Sequence, residues 1–164
     1  MAATPAIAAL ERAKVVHTVH RYDHDPRSEA YGAEAVEALA DSLGVVGEQI
    51  FKTLVVELSG GDRPGLAVAV VPVPRKLSVK AAAAALGASK AQMAEAKAVT
   101  RSTGYVLGGV SPVGQRTALP TVVDASALEF DRILCSAGRR GLEIALAPAD
   151  LVAVTKAVVA DIAV

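Results

Sequence analysis

Two features of the sequence have residue types and spacings that could do chemistry: a lysine within an apolar strand and a glycine-rich loop. In residues 50–58, "IFKTLVVEL", the positions that alternate with Lys52 are apolar: Leu54, Val56 and Leu58. Because strand side chains alternate, Lys52 is predicted on the apolar face. One reading puts it at the strand end with its amine in water. The other puts its ammonium at a pocket mouth, where it could stabilise an oxyanion or bind a carbonyl or phosphate group.

The glycine-rich loop, residues 101–115, reads "RSTGYVLGGVSPVGQ" and contains Gly104, Gly108, Gly109 and Gly114. Glycine allows close approach of the backbone to a ligand, so the loop is either the wall of a small polar site or a tight structural connection. It is not a phosphate-binding loop, because Gln115 stands where that motif needs lysine and a predicted strand follows. Ser111 is not the nucleophile of a hydrolase elbow, because Pro112 blocks the required turn into a helix.

The remaining reactive side chains do not form a predicted site. His17 and His20 fall on opposite faces of a predicted strand and His24 lies beyond it, so the three histidines are not expected to share a metal ion. Cys135 lies in an apolar strand with no base beside it, and buried packing is the expected role of its thiol. No metal site is predicted.

Length, composition and charge limit the classes of function. The chain has 164 residues, a length that predicts one domain over 1–164. Hydrophobic residues make up 52% of it, but no apolar run reaches the ~18 residues that span a membrane, so no membrane span is expected. The start, "MAATPAIAALERAKVV", lacks the pattern of a signal peptide, and a cytoplasmic location is expected. Seventeen basic and seventeen acidic residues balance, and aromatic residues are few. Neither DNA binding nor a base-stacking surface is therefore expected.

The elements that must position these residues alternate between helices and strands. Apolar spacing and helix-start signals predict helices that begin at Pro5 and cover 33–44, 79–87, 89–97 and 148–164. Strands are predicted over 14–22, 50–58, 65–73, 120–124, 131–136 and 141–147. The turn "AGRRG" between the last two strands is predicted to expose Arg139 and Arg140, with a local phosphate contact as the alternative. Short connections between neighbouring strands indicate an α+β fold with a mainly antiparallel or mixed sheet.

The order and spacing of seven segments resemble the YbaK/EbsC family of bacterial aminoacyl-tRNA deacylases, and the resemblance covers nearly the whole chain. The segments are "RYDHDP" (21–26), "FKTL" (51–54), "AVAVVPV" (67–73), "ALGASKAQMA" (85–94), the loop at 101–115, "LPTVVD" (119–124) and "GRRGLEIAL" (138–146). The combination of "FKTL" with the glycine-rich loop is the most specific part. The pattern is most similar to the branch that clears cysteine mischarged onto proline tRNA, and related domains remove alanine.

This resemblance implies a curved, barrel-like mixed sheet around a small pocket, with no metal and no organic cofactor. It implies that Lys52 is the catalytic lysine. The residues implied to bind the substrate are Tyr22, Tyr31, Gly108, Gly109, Ser111, Pro112 and Glu143. Glu143 stands where the family has aspartate, and it alternates with Leu142 and Ile144, so the strand is predicted to direct it away from the apolar face.

In the family branch, the cysteinyl thiolate of the substrate attacks its own ester carbonyl, so the enzyme supplies positioning and charge stabilisation but no nucleophile. The implied partners are the acceptor end of an aminoacylated tRNA and, in a transient ternary complex, prolyl-tRNA synthetase. Two alternatives stay open at this point. One is a deacylase for another small residue, such as alanine on proline tRNA, with water as nucleophile. The other is a non-catalytic module that binds an aminoacyl or nucleotide group.

Overall fold

The computed structural model describes residues 3–25 and 27–164, so Pro26, which is expected in the polar loop, lies outside the described residues. Strands in this part of the chain form two sheets that share an apolar core. They are β1 (His17–Arg21), β2 (Phe51–Ser59), β3 (Gly65–Pro72), β4 (Lys90–Met93), β5 (Thr121–Asp124), β6 (Ile133–Arg139), β7 (Leu142–Leu146) and β8 (Val158–Ala160). The helices are α1 (Pro5–Arg12), α2 (Tyr31–Leu43), α3 (Val79–Ala85), α4 (Ala96–Thr103) and α5 (Pro148–Thr155).

The two sheets differ in strand direction. The smaller sheet has the order β1-β7-β6 and is antiparallel. The larger has the order β4-β2-β3-β5-β8, in which β2 pairs antiparallel with β3 and β4, whereas β5 pairs parallel with β3 and β8. The predicted α+β class and mainly antiparallel mixed pairing are confirmed, with the strands divided between two sheets.

The alternation of β2 fixes which residues face each layer. Phe51 and Val55 belong to the core between the two sheets. Leu54 and Val56 face the other side of the larger sheet, where α3 covers them. The prediction that Lys52 shares a face with apolar side chains is confirmed, because Leu54, Val56 and Leu58, which alternate with it, belong to that outer layer.

Local capping explains where several helices begin and end. The Thr4 hydroxyl accepts a hydrogen bond from the Ile7 N–H at 3.2 Å, and Pro5 follows in the first turn. The Ser78 hydroxyl caps α3 in the same way, through the Ala81 N–H at 3.1 Å. These caps satisfy N–H groups that have no partner within the helix. Gly44 ends α2 with a left-handed φ of 67°, as the sequence predicts.

The predicted helix over 89–97 is wrong. Residues Lys90–Met93 form β4, an edge strand that pairs with the second half of β2, and α4 begins only at Ala96. Alanine, lysine and glutamine favour a helix locally, but the edge of β2 offers this short segment a ladder of backbone hydrogen bonds. Tertiary pairing therefore overrides the local preference.

The predicted helix over 148–164 is also too long. It ends at Thr155 because Lys156 adopts a left-handed φ of 56°, and the chain then returns as β8. The carboxylate of Asp124 accepts hydrogen bonds from the N–H groups of Ile162 and Ala163, both at 2.9 Å. Burial works to raise the pKa of Asp124, but hydrogen bonds from Ser126 and these two amides outweigh it and leave the pKa lowered. An ionised Asp124 therefore fixes the end of the chain against β5.

Within the described residues, every helix is too short or too polar to cross a membrane.

Candidate active site

A cavity of about 390 Å³ lies beside the first half of β2. One edge of this strand pairs with β3, but on the other edge the pairing with β4 begins only at Val56. A single bridge from Ile50 to Leu134 of β6 occupies the beginning of that edge. Between these contacts, no strand of the described chain pairs with residues 51–54 on this edge, and all four residues line the cavity. The cavity therefore forms where the two sheets separate.

The wall of the cavity is mostly apolar, with a small number of polar side chains, as is usual for sites that hold small molecules. The polar side chains in the wall belong to Tyr22, Glu29, Tyr31, Lys52, Thr53, Ser136 and Glu143. They come from both sheets, from α2 and from the segment that precedes α2, so the complete fold is needed to bring them together.

Lys52 brings an ammonium group into this wall. Its Nζ donates a hydrogen bond to the carbonyl oxygen of Val73 at 3.3 Å. Among the described residues, no carboxylate forms an ion pair with it. Burial lowers the pKa of the Lys52 amine. Because an ammonium has three N–H donors, this arrangement leaves donors for an oxygen atom of a bound molecule.

Glu143 brings a carboxyl group to the same cavity from β7. It lies on the opposite side of the strand from Leu142 and Ile144, as the sequence predicts, but its side chain is only 5% exposed. Burial raises the pKa of this carboxyl group to about 8. At pH 7 Glu143 is therefore a neutral acid that can donate its O–H, whereas the sequence alone does not indicate a buried, protonated carboxyl group.

Two tyrosines predicted to bind the substrate lie in the wall. Burial, with a further contribution from the Glu143 charge, raises the pKa of Tyr22. The ring of Tyr31 packs against the backbone of Gly108, where an added Cβ would lie only 3.0 Å from a ring carbon. Gly108 has a φ of +90°, so this position needs glycine both for its conformation and for the close contact.

The glycine-rich loop contributes Leu107, Gly108 and Val110 to the cavity. Both Gly108 and Val110 line the cavity, and their N–H groups make no hydrogen bond with any described part of the chain. Leu107 is half exposed and therefore lies at the rim. The loop thus supplies backbone donors in addition to packing.

Three other predicted binding residues lie behind this wall. Gly109 packs against the backbone of the turn between β6 and β7, where a Cβ would lie 2.9 Å from the Arg139 Cα. Ser111 is fully buried, and its hydroxyl accepts a hydrogen bond from the Val113 N–H at 3.2 Å. Pro112 is buried next to it. In the described structure none of these three residues lines the cavity, and their contacts hold the loop in place.

Thr53 is a wall residue that the sequence analysis does not single out. Its Oγ1 is buried, and within the described chain it has no hydrogen-bond partner. A buried hydroxyl without a partner costs free energy, since its hydrogen bonds to water are lost on folding. Only the structure shows that this hydroxyl lacks a partner, because a threonine in a strand is common and gives no such signal in the sequence.

Replacement of Thr53 by valine, which has the same shape, is expected to raise the free energy of unfolding by about 1 kcal/mol, because it removes this unpartnered hydroxyl. Urea unfolding of the two proteins under identical conditions measures the difference. Thr100→Val, at an exposed position of α4 where the hydroxyl makes no hydrogen bond with the described chain, is the matched control. A decrease in stability for Thr53→Val would show that the hydroxyl has a partner in solution.

The histidines and the cysteine lie apart from this chemistry. His20 Nε2 lies 2.8 Å from the Thr18 hydroxyl, and His17 Nδ1 lies 2.7 Å from the Val15 carbonyl oxygen. Cys135 is fully buried, which raises the pKa of its thiol well above the ordinary value. The described residues contain no group of three histidine, cysteine or acidic side chains placed to hold a metal ion.

The expectation that the "AGRRG" turn exposes both arginines is wrong for Arg140. Arg139 is exposed, but the side chain of Arg140 is only 13% exposed and forms an ion pair with Glu34 of α2. The turn between β6 and β7 brings these residues together across more than a hundred positions of the chain, and local sequence patterns do not contain that information.

Comparisons with known proteins agree with this architecture. Residues 31–154 match the family model described as "Aminoacyl-tRNA editing domain". A protein of Enterococcus faecalis (strain ATCC 700802 / V583), named "Putative Cys-tRNA(Pro)/Cys-tRNA(Cys) deacylase EbsC", is 38% identical over 128 residues, 78% of this chain and 76% of its own length.

Two solved structures are similar over almost the whole chain. "Hypothetical protein APE2540" has a TM-score of 0.81 and 27% identity over 98% of this chain and 100% of its own. A "putative trans-editing enzyme for prolyl tRNA synthetase" has a TM-score of 0.77 and 27% identity over 98% of this chain and 95% of its own. The family match covers most of the chain, and it includes α2, the strand with Lys52, the glycine-rich loop and Glu143. This chain belongs to the YbaK/EbsC family of aminoacyl-tRNA editing domains.

Proposed function

We propose that this protein hydrolyses mischarged aminoacyl-tRNA in trans and that its substrate is Cys-tRNA(Pro). The observation that carries the proposal is the Lys52 ammonium, which lies in a mostly apolar cavity with one backbone acceptor and, among the described residues, no ion pair. Such a group can stabilise negative charge as it develops on an ester carbonyl oxygen. The 38% identity to the protein named as a Cys-tRNA(Pro)/Cys-tRNA(Cys) deacylase supports this choice of substrate.

The chemistry that fits this wall uses a nucleophile from the substrate. The cysteinyl thiol loses its proton to solvent, and the thiolate attacks the carbonyl carbon of its own ester. A C–S bond forms and the C–O bond to the tRNA breaks, while the departing 3′-oxygen takes up a proton. Water then opens the cyclic thioester and releases cysteine. The described cavity wall contains no cysteine, and it contains no histidine that could activate the hydroxyl of Ser136 or Thr53 as an alternative nucleophile.

The protein's contribution to this reaction is positioning and charge stabilisation. Lys52 and the free N–H groups of Gly108 and Val110 can donate to the carbonyl oxygen as it becomes an oxyanion. Glu143, neutral at pH 7 because burial raises its pKa to about 8, adds an O–H donor without bringing a competing negative charge. Holding the thiol near the carbonyl makes the attack effectively unimolecular, which can lower the barrier by several kcal/mol.

The partner of the reaction is the acceptor end of tRNA, held in part by prolyl-tRNA synthetase. The formal net charge of the chain is zero, so counterion release offers little general affinity for RNA. A synthetase that already holds the tRNA would raise the effective concentration of the aminoacyl end at the cavity.

The direct test measures amino-acid release from Cys-tRNA(Pro), Ser-tRNA(Pro) and Ala-tRNA(Pro) in parallel. Cysteine release is expected to exceed alanine and serine release by at least about 100-fold, because only the thiol can cyclise at a useful rate. Added prolyl-tRNA synthetase is expected to lower the tRNA concentration that gives half-maximal release. Alanine release at the cysteine rate would contradict thiol assistance and favour attack by water. Release of none of the three would favour a binding module.

A further inference from the structure

Arg140, in the turn between β6 and β7, forms an ion pair, several hydrogen bonds and a contact with an aromatic ring. Its guanidinium donates to the Glu34 carboxylate, with an Nε–Oε1 distance of 3.0 Å. The same guanidinium donates to the carbonyl oxygens of Asp25 at 2.6 Å and Ser28 at 2.7 Å. Its central carbon lies 4.7 Å from the centre of the Tyr31 ring, within the range of a cation–π contact. One side chain therefore joins the β6–β7 turn to α2 and to the segment that precedes it.

These contacts are mostly shielded from solvent. The side chains of Arg140 and Glu34 are 13% and 15% exposed. Glu34 also accepts a hydrogen bond from the Asp25 N–H at 2.9 Å, so its carboxylate holds the same segment from the other side. A planar guanidinium with fixed donors suits such a set of acceptors, whereas a lysine ammonium is a compact charge without the planar arrangement of donors.

The parts that Arg140 joins are walls of the cavity. Glu29, Ala30 and Tyr31 all line it, and they lie between the residues that Arg140 holds, Ser28 and Glu34. Arg140 itself is not in the lining, so it acts on the cavity only through these neighbours. The Tyr31 ring under its guanidinium also packs against Gly108 of the glycine-rich loop, which lines the same cavity. This ring therefore closes the cavity between α2 and the glycine-rich loop, and its position sets how far the cavity extends there.

We propose that Arg140 is a positioning residue that sets which aminoacyl groups fit, by fixing Tyr31 and residues 28–30 as one wall of the cavity. The proposal rests on the proposed function, since it assumes that the cavity holds the aminoacyl group. Loss of Arg140 frees this wall, so the cavity admits bulkier side chains and holds small ones less tightly.

The test compares binding of cysteinyl and leucyl adenosine in which an amide replaces the ester, so that no reaction is needed. Calorimetry is expected to show that the unchanged protein binds the cysteinyl compound at least about tenfold more tightly, as a close-fitting pocket does for a difference of this size. Arg140→Gln is expected to reduce that ratio by about tenfold. Arg139→Gln, which changes the exposed neighbouring arginine, is expected to leave the ratio unchanged.

A general loss of folded protein would reduce binding of both compounds equally. Only the ratio of the two affinities therefore reports on the cavity wall. Arg140→Lys keeps the charge without the planar donors and is expected to restore little of the ratio. If Arg140→Gln does not fold, Glu34→Gln weakens the same contact and is expected to lower the ratio by a smaller amount. An unchanged ratio in a folded variant overturns the proposal. Failure of the unchanged protein to bind either compound or to release cysteine overturns the proposed function instead.

A second measurement follows the wall itself. Hydrogen–deuterium exchange of residues 28–34 is expected to be at least about tenfold faster in Arg140→Gln than in the unchanged protein, because the segment loses its contacts with the β6–β7 turn. Exchange in β2 is expected to stay the same. Unchanged exchange over 28–34 would show that other contacts fix this wall, which contradicts the role of Arg140.

Discussion

Lys52→Ala is expected to reduce cysteine release from Cys-tRNA(Pro) by about 100-fold to 1000-fold, the loss typical of removing one oxyanion donor. The ammonium lies in the cavity wall with the Val73 carbonyl oxygen as its hydrogen-bond acceptor, so its other donors are available to the substrate. Because this stabilisation grows as the carbonyl oxygen becomes negative, kcat should fall far more than KM rises. Single-turnover release with enzyme in excess measures the step directly.

Two further variants separate charge from packing at this position. Lys52→Met keeps a flexible apolar stem without the ammonium, and it should lose as much activity as Lys52→Ala. Lys80→Ala removes an exposed lysine on α3 and should leave the rate unchanged. Equal release by Lys52→Met and the unchanged protein would show that the ammonium takes no part in the reaction.

Much of the site could be predicted because the relevant signals are local. The two-residue period of β2 places Lys52 opposite Phe51, and the glycines around 108 indicate a loop with unusual backbone conformations. The motifs shared with the YbaK/EbsC family add Tyr22, Tyr31 and Glu143. The structure brings these residues to one cavity although they come from separate elements.

What could not be predicted depends on contacts between distant parts of the chain. Arg140 is predicted to be exposed, because the sequence does not show that α2 lies beside its turn. The segment that forms β4 is predicted as a helix, because its own sequence contains no sign of the unpaired edge of β2 with which it forms hydrogen bonds. Gly109 and Ser111 belong to the family motif, yet they lie behind the cavity wall and support the loop. Burial decides the cases of Arg140, Gly109 and Ser111, and strand pairing decides that of β4; both are properties of the assembled fold.

Glu143 is expected to make the stability of the protein depend strongly on pH. Its side chain is 5% exposed in the cavity wall, and burial raises the pKa of the carboxyl group to about 8 in the folded protein. In the unfolded chain the same group titrates near the ordinary glutamate value, about 4.3. Between these two values the folded protein keeps a proton that the unfolded chain has lost.

The contribution of Glu143 to the free energy of unfolding should therefore decrease with rising pH, by about 1.4 kcal/mol for each pH unit, over most of the range from about 5 to 8. Below about pH 4 the carboxyl group is largely neutral in both states, and above about pH 9 it is charged in both, so its contribution no longer changes. Glu143→Gln replaces the carboxyl group with an amide that does not titrate and has nearly the same size.

Glu143→Gln is accordingly expected to match the unchanged protein in stability near pH 4 and to exceed it by on the order of 4 kcal/mol near pH 8. Urea unfolding at five pH values from 4 to 9 measures the difference. Glu57→Gln, at an exposed position of β2, is the matched control and should change stability by less than about 0.5 kcal/mol. A constant difference across this range would mean that Glu143 is ionised in the cavity, and its role as an O–H donor to the substrate would have to be abandoned.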